Sequence, residues 1–539
     1  MTEGTPTDRV PSTTYPALGI VAVLLGAMMA TFLGRLISVG IGDLRGALHL
    51  DFDAASWIST SYNMGLMFIG PFSVYLGGLL GARRVLLFCA GAFSLVSLLL
   101  PLGAPHLPVM LSLLALAGLT AGTFYPLTLS FVLRNLPQQY ILFGIGAYAM
   151  DIVVTTHIAH SYEAWLMDVL SWKWIFWTQA VLAPVMMLLV YFGIPRQPLP
   201  KPAPGQTRPS WRGFLYASAG FALVYAALDQ GGRLDWWRSS LFIALASVGV
   251  FLILAAGIRH LLEPNPLINF QFLKQGNTPQ LAMILVLFRF VLLATVVLVP
   301  SFLASTQGYA AEQIGPVLLW VAVPQVLTMG LAIFLLARLD SRLILAIGFS
   351  LVGIACIGDA HLSSTWAGTS FKTTQFVLAT GEAFAFTGLV GTIILELTNS
   401  GALSRGVDVL TFSGTFQTAR LLGGEVGAAF IQFFLQRREQ FHSNMLGLHL
   451  QRGAYETAQR SLALTAGMLP SAGTPDVASG RAFVLLGLTV RRQAFTLAIS
   501  DSFVVIAYAA VACLVVIACM STLKLQYKQV ASQAPAPTK

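Results

Sequence analysis

The chain is a succession of apolar runs, each near twenty residues or longer, separated by short polar stretches. That pattern restricts the fold more than any other feature. A helical run of about twenty residues matches a bilayer hydrocarbon core of roughly 30 Å. In lipid, backbone N–H and C=O groups must find partners inside the segment, so such runs form helices. Composition agrees. Of 539 residues, 10% are charged and 56% are hydrophobic, with a mean hydropathy of +0.76. A soluble chain carries roughly a quarter charged residues. The charge here is too sparse to coat several soluble domains.

Fourteen runs are readable. They fall at about 15–41, 56–80, 84–104, 107–133, 140–169, 173–194, 211–230, 238–260, 278–305, 312–338, 342–361, 371–397, 408–436 and 500–523. The first run is too long for the apolar region of a signal peptide and is expected to stay as a membrane helix. With residues 1–14 inside, the short inner loops hold twelve Lys and Arg and the short outer loops five. This bias predicts a multi-pass membrane protein with both termini cytoplasmic. The formal charge of +9 suits loops resting on an anionic leaflet, with no nucleic acid needed.

The expected organisation is an N-terminal six-helix bundle (15–194), a Pro-rich basic linker (195–210), an inserted helix pair (211–260) and a C-terminal six-helix bundle (278–523). Residues 437–499 read as an extracytoplasmic loop with a helical hairpin, and 524–539 as a cytoplasmic tail. Two six-helix halves suggest a transporter built from repeats, with its site between them. The turns Gly78–Arg84 and Leu336–Arg342 are comparable: both are tight and cationic. Cys89, Cys356, Cys513 and Cys519 fit no zinc spacing and read as small core residues. Gly118-x-x-x-Gly122 and Gly423-Gly424 with Gly427 permit close helix contact.

Local motifs occur in a fixed order. Ser56-Trp57-Ile58-Ser59-Thr60-Ser61-Tyr62 opens the second run, and Ser171-Trp172-Lys173-Trp174-Ile175-Phe176 opens the sixth. Asp235-Trp236-Trp237 and Glu263-Pro264-Asn265-Pro266-Leu267 bound the eighth. Phe416 to Gly427 (FQTARLLGGEVG) lies in the thirteenth, with Arg437-Arg438-Glu439 after it. With these the chain resembles the fourteen-helix drug:proton antiporters of the major facilitator superfamily, of the EmrB/QacA type, over nearly its whole length. The resemblance implies export of small amphiphilic or aromatic compounds, no resident cofactor, and the proton gradient as driving force. It also implies a periplasmic membrane-fusion adaptor and an outer-membrane channel as partners, besides the small-molecule substrate and the lipid bilayer. The chain departs from the family at its coupling motifs. Phe32-Leu33-Gly34-Arg35 lacks the acidic residue, Gly81-Ala82 lacks the nearby Asp, Leu114 to Gly118 lacks the Arg, and His157 to Ala164 replaces the Gly-Pro motif.

Coupling must then be sought in other intramembrane polar residues, which normally pair or line a cavity. Glu382, alone in the twelfth run, is a candidate proton carrier. Asp151, His157, His160 and Glu163 share the fifth run. The i, i+3, i+6 spacing puts His157, His160 and Glu163 within about 120° of arc. They read either as a proton relay or as residues bonded to neighbouring helices, with a metal site as a further option. Arg35 and Arg289 read as a charged cavity attracting an acidic substrate, or as structural pairs with Asp151 or Glu382. Arg420 matches an Arg of the family and joins them as a cavity candidate; it is not expected to pair with Glu425. Asp229 and Asp359 are expected at the surface. A specific metabolite or siderophore exporter, an importer and a membrane-embedded metal-dependent enzyme stay open as alternatives. No His-Glu-x-x-His motif and no phosphate-binding G-x-x-x-x-G-K-[ST] loop occurs, so the chain reads as a transporter without direct ATP drive.

Overall fold

The computed structural model describes residues 16–128, 141–195, 211–263, 270–401, 406–450, 454–523 and 527. The linker 196–210, the first fifteen residues, the tail after 527, and Arg405 with part of the Glu263–Leu267 motif lie outside the described residues. Among those described the protein is all-α, without strands. The six helices of the first half are α1 (Pro16–Val39), α2 (Phe52–Leu80), α3 (Ala82–Gly103), α4 (Leu107–Thr128), α5 (Ile141–Val169) and α6 (Trp174–Gly193). The inserted pair is α7 (Trp211–Gly231) and α8 (Ser240–Leu262). The second half comprises α9 (Thr278–Gln307), α10 (Ala311–Leu336), α11 (Ser341–Asp359), α12 (Lys372–Asn399), α13 (Gly406–Gly447) and α14 (Pro475–Ala518).

Eleven of these helices are long and apolar enough to cross a membrane. The other three, α5, α7 and α13, are the ones that carry Asp151, His157, His160 and Glu163, then Asp229 and Gln230, then Arg420 and Glu425. They stand inside the same bundle, α5 against α1 and α10, α7 and α13 against α2. Polarity in a packed helix is tolerable where it faces protein and not lipid.

Small residues set the closest crossings. A Cβ on Gly118 would lie 1.9 Å from the Tyr62 carbonyl oxygen, and one on Gly65 would lie 2.2 Å from that of Ala115. The backbones of α2 and α4 therefore touch, as the Gly118/Gly122 spacing predicts. In α7 and α8 Gly220 and Gly249 do the same: a Cβ added to either would lie within 3.0 Å of the other's carbonyl oxygen.

The two halves meet reciprocally. The fifth helix of the first half, α5, packs on the second helix of the second half, α10; likewise α13 packs on α2. The comparable turns act alike. Arg83 donates from Nη2 to the Tyr191 carbonyl at the end of α6 (2.7 Å), and Arg342 from Nη1 to the Met520 carbonyl beyond α14 (2.9 Å). Each turn thus clasps the last helix of its own half. Only the second has an acid: Asp340 caps α11 through the Arg342 amide (2.9 Å) and pairs with its guanidinium (3.0 Å).

In the stretch 437–499 the outer helices are continuous with those of the bundle. Helix α13 runs on to Gly447, α14 begins at Pro475 rather than near 500, and a separate helix, Tyr455–Ala472, packs on α14 between them. Asp501 binds the two long helices together, accepting from Arg438 Nε (2.6 Å) and lying 2.7 Å from His442 Nε2. Charged residues such as Arg481, Arg491 and Arg492 interrupt the apolar pattern but not the helix, because beyond the bilayer a helix needs no apolar surface. Two further expectations are corrected. Cys519 is exposed, while the other three cysteines are buried. Asp359 is buried at the end of α11 and Asp229 accepts a bond from Thr60. Both stand near helix ends, but neighbouring helices bury Asp359 and half-bury Asp229.

Candidate functional site

The carboxylate of Glu382 is fully buried at the level where helices of both halves converge. Three helices build its surroundings. From α10, Gln325 Nε2 donates to Oε2 at 2.7 Å; from α9, Thr295 Oγ1 donates to Oε1 at 3.0 Å. From α5 in the other half, His157 Nε2 stands 3.4 Å from Oε2. Thr295 lies where α9 departs from α-helical geometry: residues Ala294–Leu298 form a π-helical turn. Such turns insert a residue and re-aim side chains, and they recur at functional sites. Glu382 is thus a bonded acceptor that bridges the halves.

The other residues of α5 separate. His160 is buried and lies within electrostatic reach of Arg35 and His157. Glu163 is buried at the far end, against Gly40, where an added Cβ would come within 2.7 Å of its Oε1. Its acidic neighbours are Asp43 and Asp168. The structure therefore brings His157 and His160 near each other but sends Glu163 elsewhere. Among the described residues no three His, Cys, Asp or Glu side chains converge to hold a metal. Asp151 faces a different set, the tyrosines Tyr125 and Tyr148, whose rings pack at 5.1 Å.

Arg420 stacks on the other side of this aromatic pair, 3.6 Å over the Tyr125 ring, and its Nε donates to Gln417 at 3.2 Å. Cation–aromatic stacking of this kind stabilises a guanidinium without a carboxylate. Arg289 on α9 packs against Gly424 of α13, where an added Cβ would lie 3.2 Å from its Nη2. The expected pairs of Arg35 or Arg289 with Asp151 or Glu382 do not form: among the described residues, no carboxylate oxygen lies within 4.0 Å of either. Arg420 and Glu425 do not pair, as the spacing predicts; Glu425 turns to Tyr225 of α7. Sequence reading missed Thr295, Gln325 and Tyr125. Their only signal is a polar atom inside an otherwise apolar run.

Beside the cluster lies a large apolar cavity of about 680 Å³, between the inserted pair, α9 and α13. Phe214, Phe272, Phe412 and Phe416 are among its walls. A second, enclosed space between Arg289, Arg420, His157, Phe288 and Phe386 is nearly filled, at about 10 Å³. Leu285 lines both.

A helical bundle of two reciprocal halves around a buried polar centre is the arrangement of repeat-built transporters. The family model of the Major Facilitator Superfamily matches residues 23–428. The chain belongs to the major facilitator superfamily. As a major facilitator protein it is a multi-pass membrane transporter of small molecules, and not an enzyme. It is 25% identical over 456 residues to "Probable multidrug resistance protein EmrY" of Escherichia coli, covering 81% of this chain and 84% of that protein. It is 24% identical over 446 residues to "Multidrug export protein EmrB" of Haemophilus influenzae, covering 80% and 83%. "Fatty acid resistance protein FarB" of Neisseria gonorrhoeae is 22% identical over 496 residues, covering 91% and 94%. Among solved structures, the proton:xylose symporter XylE superposes with a TM-score of 0.55 at 13% identity, covering 96% of this chain and 99% of that one. A bacterial homologue of the lysosomal transporter Spinster superposes with a TM-score of 0.52 at 13% identity, covering 98% and 100%. These structures share the fold.

Proposed function

We propose that this major facilitator protein is a proton-driven exporter of small amphiphilic or aromatic compounds, a drug or toxin efflux antiporter. Glu382 is its proton carrier. The observation that carries the reading is the position of that carboxylate: fully buried, with donors from α9 and α10 and His157 from the opposite half. A proton arriving on Glu382 removes the charge that holds His157, and so loosens the contact between halves. Alternating access needs such a link between protonation and the separation of repeats. His160, buried beyond His157, extends the polar route toward Arg35. Asp151, on the Tyr125–Tyr148 side, is a second proton site in reserve; Glu163 serves the entrance. The relatives' names, multidrug resistance and multidrug export, support efflux as the direction.

The test is flux in proteoliposomes against a panel of aromatic and amphiphilic compounds, with and without an imposed pH gradient. Gradient-dependent export in the wild type and its loss in Glu382→Gln, with facilitated exchange retained, is the expected result. Export that ignores the gradient, or an unaffected Glu382→Gln, sinks the reading.

The inserted position of the polypeptide between α13 and α14 carries a second part of the proposal. The helix Tyr455–Ala472 presents Tyr455 and Leu462 to solvent, 78% and 70% exposed. We take this outward hairpin, with both termini cytoplasmic and the protein in a bacterial inner membrane, to engage a periplasmic membrane-fusion adaptor and through it an outer-membrane channel. Replacing 448–474 by a short Gly-Ser linker then abolishes export from cells and leaves proteoliposome flux intact. Unchanged export from cells removes the adaptor.

A further inference from the structure

Three guanidinium groups inside the bundle have no acid to answer them. Arg35 comes from the first half, Arg289 and Arg420 from the second. Among the described residues none has a carboxylate oxygen within 4.0 Å. The Nε atoms of Arg35 and Arg289 are buried without any acceptor. Arg289 lies within electrostatic reach of both Arg420 and Arg35, so the three form one cationic region. Among the described residues Arg420 is held by Gln417 and the Tyr125 ring.

The acids that could neutralise the region are held elsewhere. Glu382 is committed to Gln325, Thr295 and His157. Asp229 accepts from Thr60 of α2, and Glu425 faces Tyr225. Asp151 lies by the two tyrosines, outside ion-pair distance of all three arginines. Placing like charges together in a low-dielectric interior is unfavourable unless a counter-charge arrives. Among the described residues no acid lies within ion-pair distance to supply one.

What surrounds the arginines is aromatic. Phe288 and Phe386 stack at 5.1 Å beside Arg289, and Tyr125 carries Arg420. On the other side of Leu285 opens the apolar cavity of about 680 Å³, walled by the same α9 and α13 that bear Arg289 and Arg420. A cationic patch adjoining an apolar chamber of that size is complementary to one kind of molecule, an acid group on an apolar body. The enclosed space at the arginines is nearly filled in this conformation, so the acid group enters as the halves separate.

We propose that the transported species is a monovalent organic anion, its acid group held by Arg289, Arg420 and Arg35 and its apolar body in the adjoining cavity. The word "transported" rests on the export reading; binding does not. A test at equilibrium keeps the two apart. Full-length protein in detergent, without any gradient, is titrated with 6-(2-naphthyl)hexanoate, its primary amide, and the matching naphthylalkyl trimethylammonium. The carboxylate is expected to bind at least tenfold more tightly than the amide, and the ammonium not to compete. This ratio is read on the wild type, so no variant need fold. In Arg289→Gln and Arg420→Gln the ratio is expected to fall to near one with amide affinity unchanged, and Arg289→Lys to keep part of it. Equal binding of carboxylate and amide, or preference for the ammonium, overturns the proposal. So does loss of the preference when chloride replaces gluconate at constant ionic strength, which marks an inorganic-anion site. Carboxylate-selective binding without gradient-driven flux leaves this proposal standing and sinks the export reading. Gradient-driven flux of the amide without carboxylate preference does the reverse.

Discussion

The two seams where the halves meet use the same scaffold and opposite electrostatics. Along α5 and α10 the central carboxylate is saturated, although buried polar atoms such as Gln325 Oε1 and His160 Nδ1 beside it have no partner among the described residues: Glu382 from neighbouring α12 holds three partners drawn from three other helices. Along α2 and α13 the polar centre is cationic and unsaturated, with Arg420 resting on an aromatic ring and Arg289 beside it. Packing follows the same division. Gly315 of α10 is so close to α5 that an added Cβ would lie 2.9 Å from Ser161 Cα, whereas one on Gly414 of α13 would meet the Pro71 carbonyl at an ordinary 3.4 Å. Equivalent helices can therefore close one seam by bonding and leave the other to be completed from outside.

The largest effect that could break this comparison is at Glu382. Replacing it by Ala strands the buried Gln325 donor, leaves Thr295 only the Leu292 carbonyl, opens a cavity, and is expected to cost about 3 kcal/mol of stability. Detergent-phase thermal unfolding measures it, and an unchanged melting temperature removes the idea of a saturated seam. Next comes Gly315→Val, which sets a branched side chain against the backbone of α5. Overpacking of this kind costs roughly 1–3 kcal/mol, and the same assay should find Gly414→Ala close to wild type. An equal response at both positions contradicts the packing difference. At the open seam the sign reverses. Arg289→Met removes a half-buried charge whose Nε is buried without an acceptor among the described residues, and is expected to raise stability by up to about 1 kcal/mol, since apolar replacements of buried ions are often neutral or stabilising. A marked fall in melting temperature instead points to a hidden partner for Arg289.

The smallest effect concerns the two arginine clasps. Burial alone raises the Asp340 carboxyl, but hydrogen bonds and charge from Arg342 outweigh it and hold it below the ordinary carboxylate value. A carboxyl depressed by folding contributes stability above its unfolded pKa, and that contribution is lost as pH falls through the folded one. The second clasp should therefore weaken below about pH 4, whereas the Arg83 clasp, bonded to a carbonyl, should not. Comparing Arg83→Ala with Arg342→Ala in pH-dependent unfolding reads this. The energy is at most about 0.5 kcal/mol because the pair is partly exposed.

What the sequence makes legible follows the medium. In lipid a helix must show an apolar run, so helix number and order can be read from one sequence. Gly118 and Gly122 announce close contact because only absent side chains allow it. Glu382 stands out because a lone carboxylate in an apolar run is costly. Its partner does not, since His157 lies 225 residues away and only folding brings them together. Thr295 and Gln325 are neutral and cheap to bury, so nothing in their runs marks them. Outside the bilayer the apolar signal lapses, which is why the start of α14 at Pro475 was not legible. Glu163 shows the limit of helical spacing: one face of a long helix passes several neighbours, and each residue on it answers to a different one.

The π-helical turn at Ala294–Leu298 has a consequence for how α9 works as a part. It begins five residues after Arg289 and contains Thr295, so it fixes the facing of the hydroxyl that holds Glu382 relative to the cation. A π turn accommodates one residue more than an α turn, and one residue corresponds to about 100° of rotation. Relaxing that turn would swing one end of α9 against the other, so that Thr295 and Arg289 could not both keep their present facings. Helix α9 is in this respect a crankshaft, whose two throws are the acid-holding hydroxyl and the anion-seeking guanidinium.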